Sequence, residues 1–232
     1  MRVATFSTLL TKGESLPLLI ALGLLFILES FATGPSPLIG IAYVAVLLGS
    51  AWTMSRDRRL LVKTLGLLAA AVTARIVYEA SPGRLTLLLN HIGAVVFLSY
   101  AALFIFRRAV AAPGRVGQDR ISGAVCVYLM MGVIGAAIAS SIEAIQVGAF
   151  RFPDPVDAGA GPFLARETSV FIYFSFVTLA TLGYGDITPV TPLARTFSWM
   201  LAVAGQMYVA IVVARLVSLG FSDSASRKPG NP

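Results

Sequence analysis

The sequence has few charged residues, one cysteine and one histidine. Only 12% of its 232 residues are charged, whereas a soluble domain usually carries about 25%. This shortage of charge excludes an ordinary soluble protein, and the length excludes a large soluble catalytic domain. The single cysteine, Cys126, excludes an intrachain disulfide and a multi-cysteine metal site.

The sequence is instead rich in apolar residues. They make up 57% of the chain, and the mean hydropathy is +0.83. A transmembrane helix needs about 20 apolar residues, whereas a run of about 13 is too short to span and predicts a re-entrant or buried helix. Six long runs cover residues 16–32, 37–54, 60–78, 85–106, 121–145 and 194–219, and the short run covers 168–180. The expected fold class is therefore an all-α membrane protein with six transmembrane helices and one re-entrant helix.

Basic residues concentrate at alternate ends of these runs. Most of the 18 Lys and Arg residues lie before the first run, in 56–63, in 107–120 and from residue 215 onward. The positive-inside rule then predicts a multi-pass protein of the plasma membrane with both termini in the cytoplasm and residues 168–186 entered from outside. The net charge of +7 is thus expected to favour anionic membrane lipids as partners, not nucleic acid.

The N-terminus leaves one alternative open. Lys12, the apolar residues 16–28 and Ser30-Phe31-Ala32 together have the order of a cleaved signal peptide. Cleavage would leave five spans and an external N-terminus, and the uncleaved six-span arrangement is the working prediction.

The segment from Thr178 to Asp186 reads Thr-Leu-Ala-Thr-Leu-Gly-Tyr-Gly-Asp. A pore that strips water from a cation must supply a ring of oxygen ligands, and backbone carbonyls are neutral, numerous and held in place by the fold. An ordinary strand points successive carbonyls to opposite sides, so pointing them all inward requires unusual backbone angles at alternate residues. Glycine tolerates a positive φ, and Gly183 and Gly185 stand at this alternation.

The string Thr181-Leu182-Gly183-Tyr184-Gly185 resembles the selectivity filter of potassium channels, with Leu182 where valine is more usual. The resemblance implies that the carbonyls of Thr181, Leu182, Gly183 and Tyr184, with the Thr181 hydroxyl, bind K⁺ as the permeant ion, without a cofactor or covalent chemistry. Each chain supplies one filter segment and the ring needs four, so a homotetramer is also implied. The resemblance covers residues 121–219, and over 1–120 only helix count and hydropathy support it.

The same resemblance implies supporting roles around the filter. Residues 168–180 resemble the pore helix, whose C-terminal end directs partial negative charge at the ion. Tyr184 is expected to pack against this helix with Thr178 as a hydrogen-bond partner. Tyr173 is expected to pair with Asp186 behind the filter.

The last apolar run carries two further candidates. Gly205 follows Gly185 at the distance where many relatives have a hinge glycine in the inner helix, and either a hinge or close helix packing explains it. Gln206 either faces an aqueous cavity or bonds to another helix. The expected division is a four-helix region at 1–120, a pore domain at 121–219 and a cytoplasmic tail at 220–232.

The fourth run, 85–106, contains no Arg or Lys. A voltage sensor needs about 3–4 gating charges per subunit, so the first four helices are expected not to sense voltage. Five charged residues lie near outer helix ends, and mutual pairing or snorkelling is favoured over a proton or ligand sensor. These residues are Glu29, Arg75, Glu79, Arg84 and Glu143.

The expected function is passive K⁺ conduction, and two alternatives remain. One is a weakly selective cation channel, if Leu182, Phe174 or Val177 loosens the filter. The other is a non-conducting or partner-dependent subunit of a membrane transport complex. A regulatory subunit is a further partner that the sequence leaves open.

Overall fold

The computed structural model describes residues 15–31, 37–54, 58–111, 118–152 and 163–225. Most of these residues are helical. In chain order the helices are α1 (Leu16–Phe31), α2 (Pro37–Met54), α3 (Arg58–Ala80), α4 (Arg84–Phe106), a π-helical segment (Arg107–Ala111), α5 (Gln118–Ile145), α6 (Phe163–Leu179) and α7 (Pro192–Ala225). Two short strands, β1 (Phe150–Arg151) and β2 (Thr188–Pro189), precede and follow α6 in the chain. They pair with each other in an antiparallel arrangement.

Helices that follow each other in the chain pack together, because short connections make them antiparallel neighbours. The main contacts join α1 to α2, α3 to α4, and α4 to α5, and α1 also packs on α5. Leu22, Phe97 and Met130 are fully buried at the centre of this bundle. Small residues permit the close crossings, since a Cβ on Gly93 would lie 3.3 Å from the Cα of Ala71.

A second apolar cluster joins α5, α6, α7 and β1. Its aromatic members are Phe150, Phe171 and Phe174, and the Phe150 ring meets the other two edge to face at 5.3 and 5.0 Å. The strand register places Phe150 opposite Pro189 and Arg151 opposite Thr188. This cluster supports the loop that runs from α6 to β2.

Three helices in the described part of the chain are long and apolar enough to cross a membrane. They are Arg84–Ala109, Asp119–Ile145 and Pro192–Arg215, while Leu16–Leu28, Gly40–Thr53 and Val170–Leu179 are shorter apolar stretches. The short run predicted at 168–180 is part of a longer helix, α6, that begins at Phe163. Helix α7 continues to Ala225, beyond residue 219, where the pore domain was expected to end.

Arg75 and Glu79 of α3 form an ion pair, as expected for two of the five outer charges. Arg75 lies 2.8 Å from Glu79 and faces the rings of Tyr43 and Tyr78, with its guanidinium 5.6 and 5.8 Å from their centroids. The Glu79 carboxylate fills the space beside Gly40, where a Cβ would collide with it. The side chain of Glu29 lies outside the described residues.

Candidate functional site

The loop after α6 directs its backbone N–H groups back to that helix. Ala180 donates to the Phe176 carbonyl at 2.9 Å, Thr181 to that of Thr178 at 3.0 Å, and Leu182 to that of Val177 at 2.9 Å. The last carbonyls of a helix have no partner within it, so these bonds satisfy the end of α6. They also turn the N–H side of the loop toward the helix, and its own carbonyls take no part in them.

The sign of φ alternates along this loop. Thr181, Gly183 and Gly185 have φ values of 57°, 57° and 81°, while the intervening Leu182 and Tyr184 are not in the positive region. A Cβ on Gly183 or Gly185 would meet nothing within 4 Å, so glycine is required there for its backbone angle and not for space. The alternation lets successive carbonyls lie on one side, which an extended strand does not permit.

The sequence indicates a positive φ at the two glycines. The structure adds Thr181, two residues before Gly183, as a third position with a positive φ. A β-branched residue rarely adopts a positive φ, and such a conformation costs roughly 1–3 kcal/mol. The strain persists only where neighbouring groups hold the residue, and Gln206 does so: its Nε2 donates to Thr181 Oγ1 at 3.1 Å. This bond joins Gln206 to the loop and not to another helix, and the Gln206 side chain is exposed in the single chain, so a cavity-facing position stays a prediction.

Gly205, the residue before Gln206, packs against the end of α6. A Cβ at this position would collide with the backbone carbonyl oxygen of Leu179. The structure thus gives Gly205 a packing role at the joint between α6 and the loop, and a hinge role stays a prediction. Residues 205 and 206 together hold α7 against both sides of that joint.

Tyr173 and Asp186 meet behind the loop. The Tyr173 hydroxyl donates to Asp186 Oδ2 at 2.6 Å, and the Ile187 N–H donates to Asp186 Oδ1 at 2.9 Å. The hydrogen bond from Tyr173 holds the pKa of the Asp186 carboxyl below its ordinary value of 3.8, since it stabilises the ionised form. Asp186 is therefore a carboxylate at neutral pH.

Tyr184 stacks on the Tyr173 ring, with centroids 6.5 Å apart and planes inclined by 17°. The expected partner, Thr178, contributes its backbone carbonyl to the loop, and the contacts of the described residues include no bond between its hydroxyl and Tyr184. The filter-support roles of Thr178, Tyr173 and Asp186 remain predictions.

Helix α5 packs against α6 and is also bonded to the segment that contains β1. The Ser175 hydroxyl of α6 donates to the Gly132 carbonyl at 2.7 Å, and the Phe176 ring occupies the place of a Cβ on Gly132. Ser175 is fully buried. These contacts fix α6, and hence the start of the loop, against α5.

Glu143, one of the five charges for which mutual pairing or snorkelling was favoured, does neither in the described part of the chain: it is buried and binds backbone N–H groups instead. It is 2% exposed, and its two carboxylate oxygens accept the N–H groups of Gly148 at 2.7 Å and Phe150 at 2.9 Å. The Ala149 carbonyl in turn accepts the Val190 N–H at 2.8 Å. Glu143 thus connects the end of α5 to the segment just after the loop. The sequence signal for this contact is a glutamate near the end of a helix, five residues before a glycine.

Two large side chains of the loop are more than half exposed in the single chain. Leu182 is 57% exposed and Tyr184 is 67% exposed. Trp199, Met207 and Val213 on α7 are exposed as well. Hydrophobic groups exposed in this density mark either a lipid-facing or a protein-facing surface.

A family model described as "Ion channel" matches residues 160–222, which include the loop and most of α7. The chain is 41% identical over 66 residues to "Two pore potassium channel c" of Oryza sativa subsp. japonica, covering 28% of this chain and 14% of that protein. It is 40% identical over 57 residues to "Putative potassium channel protein YugO" of Bacillus subtilis, covering 24% of this chain and 17% of that protein.

A third relative matches over a longer stretch. The chain is 31% identical over 129 residues to "Protein LctB" of Bacillus caldotenax, covering 56% of this chain and 92% of that protein. By contrast, this chain spans less than a quarter of the length of either potassium channel above. No solved structure matches.

Proposed function

The chain belongs to the potassium channel pore family, and from this membership we propose that it is a subunit of a passive, K⁺-selective channel. The observation that carries the proposal is the alternation of positive φ at Thr181, Gly183 and Gly185. It supports a column of carbonyl oxygens along one side of the loop. The family is one of ion channels, and the chemistry is transport without a covalent step.

In this function the loop replaces the water shell of K⁺. The carbonyls of Thr181, Leu182, Gly183 and Tyr184, with the Thr181 hydroxyl, are the proposed ion ligands. The carbonyl end of α6 lies directly before them, and its partial negative charge favours a cation there. Gly185 ends the column and turns the chain toward Asp186.

Four chains are proposed to surround the ion, because one chain contributes one such loop. A ring of ligands around an axis requires copies of this loop from a symmetric assembly. The exposure of Leu182 and Tyr184 supports this arrangement, since neighbouring subunits would cover them. The alternative of a partner-dependent subunit predicts that the purified chain lacks this assembly.

The membrane arrangement is proposed to have six spans with both termini in the cytoplasm of a cell bounded by the plasma membrane. Three helices meet the length and apolarity of a span, and α1, α2 and α3 are proposed as the others. The basic residues near 56–63 and 107–120 support this orientation. Helix α4 carries no Arg or Lys between Leu85 and Phe106, so voltage sensing by it is not proposed.

The test is ion flux from liposomes that contain the purified protein, driven by a K⁺ gradient and compared with Na⁺. We expect K⁺ flux that Ba²⁺ blocks and that Gly183→Ala abolishes, because alanine at a positive φ disturbs the carbonyl column. Gly66→Ala is the control: a Cβ at Gly66 would also meet nothing within 4 Å, but this residue lies in α3, away from the loop and its supports.

Three outcomes separate the candidates. Ba²⁺-sensitive K⁺ flux that survives Gly66→Ala and is lost in Gly183→Ala supports the proposal. Equal K⁺ and Na⁺ flux would favour the weakly selective channel. Flux that Gly183→Ala leaves unchanged would contradict a pore at this loop.

A further inference from the structure

Helix α7 packs against its own chain along one stripe of residues. Leu201, Gly205 and Val212 are buried, and Tyr208 is partly buried. These positions recur every three or four residues, so they lie on one face of the helix. Gly205 meets the end of α6 beside the loop, and Tyr208 lies almost one turn further toward the C-terminal end of α7. The stripe thus continues beyond the part of α7 that supports the loop.

Tyr208 connects α7 to two other helices. Its hydroxyl donates to the Ala124 carbonyl of α5 at 2.6 Å. Its ring lies 6.1 Å from the ring of Phe106 and 6.0 Å from that of Tyr128, measured between the centroids. Phe106 is the last residue of α4, and Ala124 lies in the second turn of α5. A single side chain therefore fixes α7 to the end of α4 and to the start of α5.

This hydrogen bond is costly to break. A carbonyl oxygen has two lone pairs, so Ala124 can accept the phenol proton in addition to a helical N–H. Tyr208 packs against the apolar cluster that contains Val127 and Val212, and a hydroxyl that loses its acceptor in such surroundings is left unpaired at a cost in free energy. Separation of α7 from α5 must therefore break the hydrogen bond and the ring contacts together.

Tyr208 holds α7 from the side opposite to Gln206. Successive residues of an α-helix are about 100° apart, so positions 206 and 208 point in directions about 160° apart. Gln206 donates to the hydroxyl of Thr181, which is one of the proposed ion ligands. In the proposed channel, the Gln206 side of α7 thus faces the pore axis, and the bond from Tyr208 draws α7 away from that axis.

We propose that Tyr208 is a latch that holds the C-terminal half of α7 away from the pore axis, and that its bond to Ala124 breaks when this half moves inward and closes the pore. The inference rests on the proposed function, because it needs a pore that α7 can close. It needs no hinge at Gly205, since a tilt of α7 breaks the bond as well as a bend does. One polar contact thus sets the balance between two positions of the helix.

The first test is single-channel recording of the purified protein in planar bilayers. Tyr208→Phe removes the hydroxyl and keeps the ring beside Phe106 and Tyr128. We expect the ratio of open to closed time to fall about tenfold or more, because every subunit loses a hydrogen bond. The conductance of the open channel and the affinity of Ba²⁺ block should not change. Tyr128→Phe is the matched control, since the Tyr128 hydroxyl makes no hydrogen bond within the part of the chain that the structure describes.

The second test measures the position of α7 without ion flow. A spin label at Val213, which is exposed in the single chain, reports the distance between neighbouring chains in liposomes by pulsed electron paramagnetic resonance. Val213→Cys combined with Cys126→Ser provides one labelling site, because the chain has a single cysteine. Tyr208→Phe should shift the population toward shorter distances, whereas Tyr128→Phe should not.

The outcomes separate the latch from the proposed function. An unchanged or increased ratio of open to closed time in Tyr208→Phe would overturn the latch, and so would an equal fall in Tyr128→Phe. K⁺ current in the unchanged protein, with label distances that Tyr208→Phe leaves the same, would contradict the latch alone. A shift of the label distances in a protein that carries no K⁺ current would contradict the proposed function alone.

Discussion

Thr181 combines a strained backbone with a proposed ion ligand. Its φ of 57° is unfavourable for a β-branched residue, and its N–H and hydroxyl are both engaged, by the Thr178 carbonyl and by Gln206. An accepted hydrogen bond from Gln206 leaves the second lone pair of the Thr181 oxygen available for a cation. In the proposed filter, the side chain of Gln206 would therefore act on a bound K⁺ ion through Thr181.

Replacing Gln206 by leucine removes the amide that donates to Thr181 and puts an apolar side chain of similar size in its place. We expect the K⁺-to-Na⁺ flux ratio and the affinity of Ba²⁺ block to fall, because Thr181 Oγ1 is no longer oriented. The free energy of unfolding should fall by about 1 kcal/mol. The flux ratio in liposomes is the measurement, and Met207→Leu, at the next position, which is also exposed, is the control that should leave it unchanged.

The hydrogen bond between Tyr173 and Asp186 makes the stability at the outer end of the loop depend on pH. The folded-state pKa of Asp186 is lowered by the Tyr173 hydroxyl, so this interaction stabilises the protein above the ordinary carboxyl pKa of 3.8 and is lost as pH falls through the lowered value. Tyr173→Phe removes the donor and should raise the pKa of Asp186.

The measurement is K⁺ flux followed during acidification of the external side. The Tyr173→Phe channel should lose flux at a higher pH than the unchanged protein. Tyr100→Phe is the control, since the Tyr100 hydroxyl is buried without a hydrogen-bond partner in the described part of the chain. Loss of flux at the same pH in all three proteins would refute the role of the Tyr173–Asp186 bond.

At the scale of elements, the hairpin of β1 and β2 connects the outer end of α5 to the segment after the loop. Two residues per strand are too few to be stable alone. The Glu143 carboxylate, through the N–H groups of Gly148 and Phe150, and the Phe150–Phe171–Phe174 cluster supply the missing stability. The loop is therefore held at its inner end by α7 and at its outer end by α5.

Glu143→Ala leaves two N–H groups without an acceptor. We expect the free energy of unfolding to fall by about 3 kcal/mol, and by less in Glu143→Gln, whose amide oxygen still accepts. Denaturation of the protein in detergent, followed by circular dichroism, measures this. Glu79→Gln provides the comparison, because Glu79 is half exposed and an exposed pair contributes only about 0–1 kcal/mol. An equal fall in the free energy of unfolding at both positions would contradict a stabilising role for the two hydrogen bonds that Glu143 accepts.

At the scale of the whole molecule, one chain leaves its loop incomplete. The proposed carbonyl column has protein on one side only, and Leu182 and Tyr184 remain exposed beside it. Membrane lipid is an unsuitable cover for a loop of irregular backbone, since unpaired backbone groups are tolerated at that depth only inside protein or beside water. Neighbouring copies of the chain, as in the proposed tetramer, would satisfy both conditions.

The purified complex is expected to have a mass near four times the 24.5 kDa of one chain, after correction for bound detergent. Light scattering coupled to size exclusion measures it. Tyr184→Ala should weaken the assembly, because it removes an aromatic ring proposed to lie at the subunit contact, whereas Trp52→Ala, also at an exposed aromatic position but in α2, should not. A single-chain mass for the unchanged protein would contradict the tetramer.

The sequence alone determined the helical class, the short helix before the loop and the glycines at which φ is positive. These follow from local properties: apolar length decides which segments suit a membrane, and the absence of a Cβ decides where the backbone turns left-handed. The Tyr173–Asp186 bond was also anticipated, through the resemblance of the motif. The positive φ of Thr181 was not, because nothing local in a β-branched residue favours it.

Only the tertiary structure decided which faces of the helices meet. A helix that is apolar on every side carries no periodic signal of its packing face, so the sequence could not assign Gln206 to Thr181, Gly205 to the Leu179 carbonyl, or Glu143 to the turn after α5. The cavity lined by Thr53, Arg108 and Asp119 likewise joins the ends of helices that are separate in the chain. These contacts exist because packing brings distant residues together, and that information lies in the rotation of each helix.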